Sequence, residues 1–190
     1  GFIDERGDLT ELGKRYIVTE DPALLLEALE QWSEEGDFDE ITRIDAIRGL
    51  RARGVRLTPP AERRQHIVEA LSWCPTGVWL SLYDFYRAIK VWHFDFEIEV
   101  GGLDKLYVGY SGYNRFEAWA PTQSQWLLTN GLYINNVLWE TLASIGALDI
   151  AYADDAEGVF PVETYTYDEP TYSRYDGLLY FRINPPGAYL

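Results

Sequence analysis

Residues 129–158 read TNGLYINNVLWETLASIGALDIAYADDAEG, and few folds accommodate such a run. Ile134, Val137, Leu138, Leu142 and Ile145 recur at three- and four-residue spacings, which predicts a helix that starts near Asn130 and buries one face. Gly146 suits the position just past its end, where a left-handed backbone carries no Cβ penalty. Leu148, Ile150 and Tyr152 then alternate as a strand, a long acidic loop follows, and GLLYFRI at 177–183 supplies the returning strand.

Upstream, the signals are mostly helical. Asp21-Pro22 predicts a helix start that carries Leu25, Leu26, Leu29 and Trp32 inward and stops near Gly36. In FDEITRIDAIRGLRARG the three-residue spacing of Ile41, Ile44, Ile47 and Leu50 predicts a second helix, ended by Gly54. Thr58-Pro59-Pro60 opens a third, running to about Trp73 with His66, Ile67, Ala70 and Leu71 on its inner stripe; Pro75 ends it. A short extended segment at Val78–Leu80 leads to Ser81, an N-cap with Asp84 three residues on as in a capping box, and Leu82, Phe85, Tyr86 and Ile89 follow at helical spacing. The fold class expected is mainly α with a small β-sheet.

At the start, FIDERGDLTELGKRYI predicts a short strand, a polar turn at Glu5–Asp8 and a turn of helix begun by Thr10. LTELGKRY (9–16) and INPPGAYL (183–190) share an apolar residue, Thr or Asn, two variable positions and a glycine, which suggests two related units with the first truncated. Methionine is absent and the chain opens on Gly1, as expected of a segment excised from a longer protein.

Helix, short strand, helix, helix and a two-stranded wing resembles the order of a winged-helix domain, with residues 60–190 similar to one that has an enlarged loop between its second and third helices. The LTxxG and INxxG closures resemble those after the wing in that superfamily. GLYINNVLWETLASIGALDIAY is also similar to the stretch before the wing in bacterial helicase-associated domains of the XPB N-terminal type. The resemblance implies a winged helix-turn-helix unit over 58–190 with an aromatic insert at 93–128. Residues 1–57 would then be a helical region carrying the remnant of an earlier wing.

The same resemblance implies a third helix that reads a DNA groove, with the wing touching phosphate. Here the sequence departs from the pattern. The face expected outward carries Asn135, Asn136, Trp139, Glu140 and Ser144, and the wing loop begins Asp154-Asp155-Ala156-Glu157, whereas phosphate contact requires cations. The whole chain holds 31 acids against 16 bases, a formal charge of −15, with 17 acids and 12 bases in residues 1–90 and 14 and 4 in the remainder. That balance disfavours nucleic acid and anionic membranes as partners. One basic region stands against it: Arg43, Arg48, Arg51, Arg53, Arg56, Arg63 and Arg64 fall within 22 residues whose acids are Asp45 and Glu62. It is read as solvated surface with ion pairs to the acidic remainder, or alternatively as a nucleic-acid contact.

Chemistry finds little support. GDLTELGKR at 7–15 misses the spacing of a phosphate loop and lacks the Ser or Thr after Lys14; Gly109 and Gly112 read as loop punctuation. His66, His93 and Cys74 have no zinc-site spacing, and Cys74 is expected to sit in the interior as a small hydrophobe. Alternation in HFDFEIEV puts Asp95, Glu97 and Glu99 on one face, a half-buried strand by preference and a carboxylate site otherwise. The insert's aromatics, Tyr110, Tyr113 and Trp119 among them, sit with few cations and suit a protein contact better than stacked bases. The expectation is therefore a non-enzymatic module with no cofactor, metal or catalytic residue. It would contact a protein partner or other domains of its parent chain through Asn135, Asn136, Trp139, Glu140, Tyr110, Tyr113 and Trp119. No run of apolar residues approaches a membrane span, and with one cysteine and no signal peptide a cytoplasmic setting is expected.

Overall fold

The structure, a computed structural model, describes residues 2, 4, 6–34, 38–100, 106–108, 116–117, 126–154 and 172–189. Thr10 caps α1 (Glu11–Thr19), its hydroxyl accepting from the Gly13 amide. Asp21 accepts from the Ala23 amide at 3.0 Å and starts α2 (Pro22–Glu34), which buries Leu24 and Leu29 and leaves Leu25, Leu26 and Trp32 half-buried. The helix expected over 38–54 does not form. Asp39 caps a single 3-10 turn, Glu40–Arg43, after which Ile44 turns extended and β1 (Ile47–Arg48) follows. Isoleucines are stiff at Cβ and tolerate extended backbone well, so Ile41, Ile44 and Ile47 still reach the core without a helix.

α3 (Pro60–Ser72) turns Arg63, Arg64, Ile67, Ala70 and Leu71 inward. Then come β2 (Leu80–Ser81) and α4 (Leu82–Val91), with Ser81 accepting from the Asp84 amide at 3.4 Å while the Asp84 carboxylate reaches Arg87. α4 buries Leu82, Phe85, Tyr86 and Ile89, the four residues its spacing selects. The segment 94–99 is not a strand within a ladder; it makes one isolated bridge, Leu57 to Glu99. Within the insert, β3 (Tyr107–Val108) pairs with β1 on one side and β4 (Phe116–Glu117) on the other.

The long helix α5 covers 127–143 and begins earlier than its periodicity suggests. It comprises a π-helical stretch Leu127–Gly131, an α-helical stretch Leu132–Asn136 and a second π-helical stretch Val137–Ala143. Every residue from Leu127 to Leu138 is buried, so α5 is the central rod of the fold. Gly146 follows at φ 80. β5 (Leu148–Tyr152) pairs antiparallel with β6 (Leu178–Ile183), and β2 pairs with the far side of β6, giving the order β2-β6-β5. Only Leu148 of the expected inward set is fully buried; Ile150 is half-buried, and a bulge at Ala151/Tyr152 leaves Tyr152 exposed. The described residues are thus mainly helical, with two small antiparallel sheets. None of their helices is long and apolar enough to cross a membrane.

The two similar closures make the same contacts. The Thr10 amide donates to Phe2 O at 3.0 Å and the Asn184 amide to Ala147 O at 3.2 Å. Thr10 Oγ1 accepts from Gly13 N at 3.1 Å, and Asn184 Oδ1 accepts from Gly187 N at 3.2 Å. A Cβ added at either glycine would lie 2.1 Å from the carbonyl oxygen just named, Phe2 O or Ala147 O. Glycine is therefore required by contact with backbone. Gly187→Ala is expected to lower unfolding free energy by about 1–3 kcal/mol, read from urea denaturation, since a carbonyl cannot yield as a side chain does. Gly77→Ala, with no atom within 4 Å but a positive φ, separates the strain of conformation from that of contact.

Candidate functional site

Glu40, Arg63 and Arg64 are at or below 1% exposure. Glu40 Oε1 accepts from Arg64 Nε at 2.8 Å and Trp32 Nε1 at 2.9 Å, and Oε2 accepts from the Tyr133 hydroxyl at 3.0 Å. Arg64 also donates to Trp32 O at 2.6 Å and Phe38 O at 2.7 Å and stacks over the Trp32 ring. Beside it, Arg63 donates to Asp39 Oδ2 at 2.6 Å and Thr58 O at 3.0 Å, with its guanidinium 4.8 Å from the Tyr133 ring centre. Burial, then the Glu40 carboxylate, raise the Tyr133 hydroxyl well above its ordinary value. α2, the 3-10 turn, α3 and α5 are tied together here, and the expected boundary at residue 57/58 runs through the knot.

Arg63 and Arg64 are thus removed from the basic surface, a correction to their reading as nucleic-acid contacts: their charge is spent inside. The spacing carried a signal for this. Arg63, Arg64, Ile67, Ala70 and Leu71 stand at i, i+1, i+4, i+7 and i+8, on the stripe that faces the core. Arg48, Arg51, Arg53 and Arg56 are exposed, as is Arg43, which lies over the Phe38 ring at 5.2 Å.

Asn135 and Asn136 are fully buried, so the expectation that they face outward is overturned. Asn135 Oδ1 accepts from the Tyr86 hydroxyl, and its amide donates to Tyr175 O at 3.4 Å. Among the described residues Asn136 has no hydrogen-bond partner at either end of its amide. Further along α5, Trp139 is half-buried and lies 4.6 Å from the Tyr152 ring and 5.9 Å from that of Tyr175. Glu140 is exposed and accepts from the Tyr175 hydroxyl at 2.5 Å; burial and that carboxylate push Tyr175 up to about 12. Tyr110, Tyr113 and Trp119 lie outside the described residues.

The three carboxylates of 95–99 do not converge. Asp95 is exposed and accepts from Trp126 Nε1 at 2.6 Å; Glu97 is exposed; Glu99, expected on the wet face, is buried. No group of three or more potential metal ligands occurs among the described residues. A second buried acid, Asp176, accepts from Tyr172 N at 2.5 Å, Ser173 N at 3.1 Å and Ser173 Oγ at 2.6 Å, closing the turn that leads into β6. Burial raises its pKa despite those donors. Cys74 lines a cavity of about 120 Å³ with Leu71, Leu148, Ile183 and Ala188, well short of the ~300 Å³ at which small-molecule sites begin.

The outer surface holds what the pattern missed. Trp73 and Trp92 are 72% and 65% exposed, with ring centres 6.4 Å apart in a stacked arrangement; Phe94 lies 6.0 Å from Trp73, and Val91 is exposed beside them. Trp73 follows the last residue of α3 and Trp92 the last of α4, so both fall outside the helical periods that mark core positions. No protein-family model, curated protein or solved structure matches the chain.

Two measurements follow. Glu40→Ala strands Arg64 without its carboxylate and is expected to cost about 3–5 kcal/mol in urea unfolding, with part recovered when Arg64→Met is added. Burial pushes the Cys74 thiol up to about 11 from 9.0, so at pH 8 it holds about a hundredfold less thiolate than a free thiol. Iodoacetamide should label it at least about a hundredfold more slowly in the folded chain than in urea.

Proposed function

We propose that the chain is a non-enzymatic interaction module on a winged-helix framework, and that it docks protein through the indole face of Trp73 and Trp92. The observation that carries the docking reading is that pair of exposed, mutually stacked indoles, with Val91 alongside. Exposed apolar clusters mark contact surfaces, and tryptophan is enriched where binding energy concentrates.

The framework is supported by the order of elements from α3 to β6, which is helix, strand, helix and, after the inserted strands β3 and β4, helix, strand, strand, and by the strand order β2-β6-β5. α5 stands where a groove-reading helix would, yet its residues through Leu138 are enclosed and those beyond carry Glu140. A role in docking protein through Trp139 and Glu140 is compatible with their position, but Asn135 and Asn136 serve the interior.

A photo-crosslinking residue at Val91, in the cells that make the protein, tests the reading. The expected result is one recurring protein adduct, abolished by Trp73→Ser with Trp92→Ser while the thermal midpoint of the chain is retained. Adducts to nucleic acid, or protein adducts indifferent to both substitutions, would overturn it. Each indole is expected to contribute about 2 kcal/mol or more to the contact.

A further inference from the structure

Arg48, Arg51, Arg53 and Arg56 lie within nine residues, all exposed. Among the described residues none of the four enters an ion pair, a side-chain hydrogen bond or a ring contact. In a chain with 31 acids that is a departure from the ion pairing expected of them. Asp45 and Glu97, both exposed, lie near the segment's two ends in sequence or through the bridge to Glu99, and neither neutralises it.

The segment is held in shape. Gly49 at φ 88 and Gly54 at φ 86 take left-handed turns that side chains rarely adopt. The Ala52 amide donates to Gly49 O at 2.8 Å and the Val55 amide to Ala52 O at 3.1 Å. One end is fixed by β1 in register with β3, where Ile47 opposes Val108 and both are buried. The other is fixed by the Val100 amide on Arg56 O at 2.7 Å and the Leu57–Glu99 bridge. Four guanidiniums are therefore presented on a braced segment, Arg48 at the end of β1 and the others on the turns that follow, so an anion binding there orders side chains and little backbone.

We propose that this arginine turn binds an extended acidic segment of a partner protein. Guanidinium forks match carboxylates two bonds at a time, which suits several closely spaced Glu or Asp side chains. Charge and length decide against a nucleic acid. A duplex carries one charge per about 1.7 Å, and affinity built on phosphate draws on about six to ten contacts. The turn supplies four cations, and the chain is −15 with them and −19 without them. A longer polyanion also meets the field of the remaining chain, which is −19 without these four residues, and that repulsion grows with its length. A peptide of a few carboxylates ends where the arginines do. With a screening length of about 8 Å at physiological salt, the turn attracts such a peptide as a local positive surface in spite of the total charge.

The four arginines share no residue with the indole face, and the probe below binds or fails to bind whatever the fate of the crosslinking experiment. A fluorescent peptide of alternating Glu and Ser, its Gln counterpart, and single- and double-stranded oligonucleotides of equal charge are titrated with the whole chain and followed by anisotropy. Binding of the Glu peptide alone is expected, with salt weakening it. Arg51→Glu with Arg53→Glu should weaken it at least about tenfold, about 1.4 kcal/mol, without lowering the thermal midpoint. Arg51→Lys with Arg53→Lys should keep only part of the affinity, because charge remains while the fork is lost. Failure of the Glu peptide to bind, indifference to charge reversal, or tighter capture of an oligonucleotide at the same salt would each overturn the proposal.

Discussion

The buried carboxylate of Glu40 is the constraint on which the arrangement turns. A carboxylate out of water is tolerable only when its lone pairs are met, and here an arginine, an indole and a phenol meet them from three different helices. Satisfying it fixes where α2, α3 and α5 sit relative to one another. Arg64 must be inside because Glu40 is. Arg63, one residue before it on the same stripe, reaches Asp39 and the Tyr133 ring in consequence. The network makes Glu40, Ile41 and Ile44 part of the core that α5 occupies, and so closes a side of α5 that a solvent-facing helix would leave open.

Much of this was legible in the sequence, and its failures share a cause. α4 was legible to the residue because Ser81 caps it and one face alone is apolar. α5 was misjudged because periodicity was read as a single face. Leu127, Leu128, Leu132, Tyr133, Ile134, Val137, Leu138 and Leu142 occupy more than one side of any helix, and a helix apolar all round is a buried one. Two π-helical stretches add to the error: each i→i+5 turn shifts the face from where a 3.6-residue period places it. The three-residue spacing of Ile41, Ile44 and Ile47 misled in the opposite sense. All three are buried as a helix would require, yet through a 3-10 turn and a strand, because the turn that Asp39 caps ends at Ile44 in extended backbone and β3 offers a ladder about sixty residues away in sequence. The indole face had no periodic signature at all, since both tryptophans lie just past helix ends.

The paired closures show a contact set that recurs where sequence similarity is slight. Only the polar residue, the glycine and a flanking apolar position are shared between 9–16 and 183–190, yet each chemical reason is met twice. One carbonyl accepts the amide of Thr10 or Asn184 and presses on the glycine three residues on, and the side chain of that same Thr or Asn binds the glycine amide. Thr and Asn are interchangeable because both offer an oxygen at one bond's reach of the next turn. The intervening residues, Glu-Leu in one and Pro-Pro in the other, are free because neither takes part.

Charge organises the surface by subtraction. Of the seven arginines between 43 and 64, two are consumed by the core and one lies on Phe38, leaving four exposed between residues 48 and 56. Among the described residues the carboxylates Glu40, Glu99 and Asp176 are withdrawn in the same way, three acids against two arginines, so burial changes the location of charge more than its balance. What a partner meets is set by the charges that folding leaves outside. Among the described residues Arg48, Arg51, Arg53 and Arg56 enter no ion pair, and the glycine turns at 49 and 54 with the anchors at β1 and Leu57 hold the segment that carries them in shape. Had the turn been long and slack, those guanidiniums would have found carboxylates of their own chain; its bracing is what keeps them open to another's.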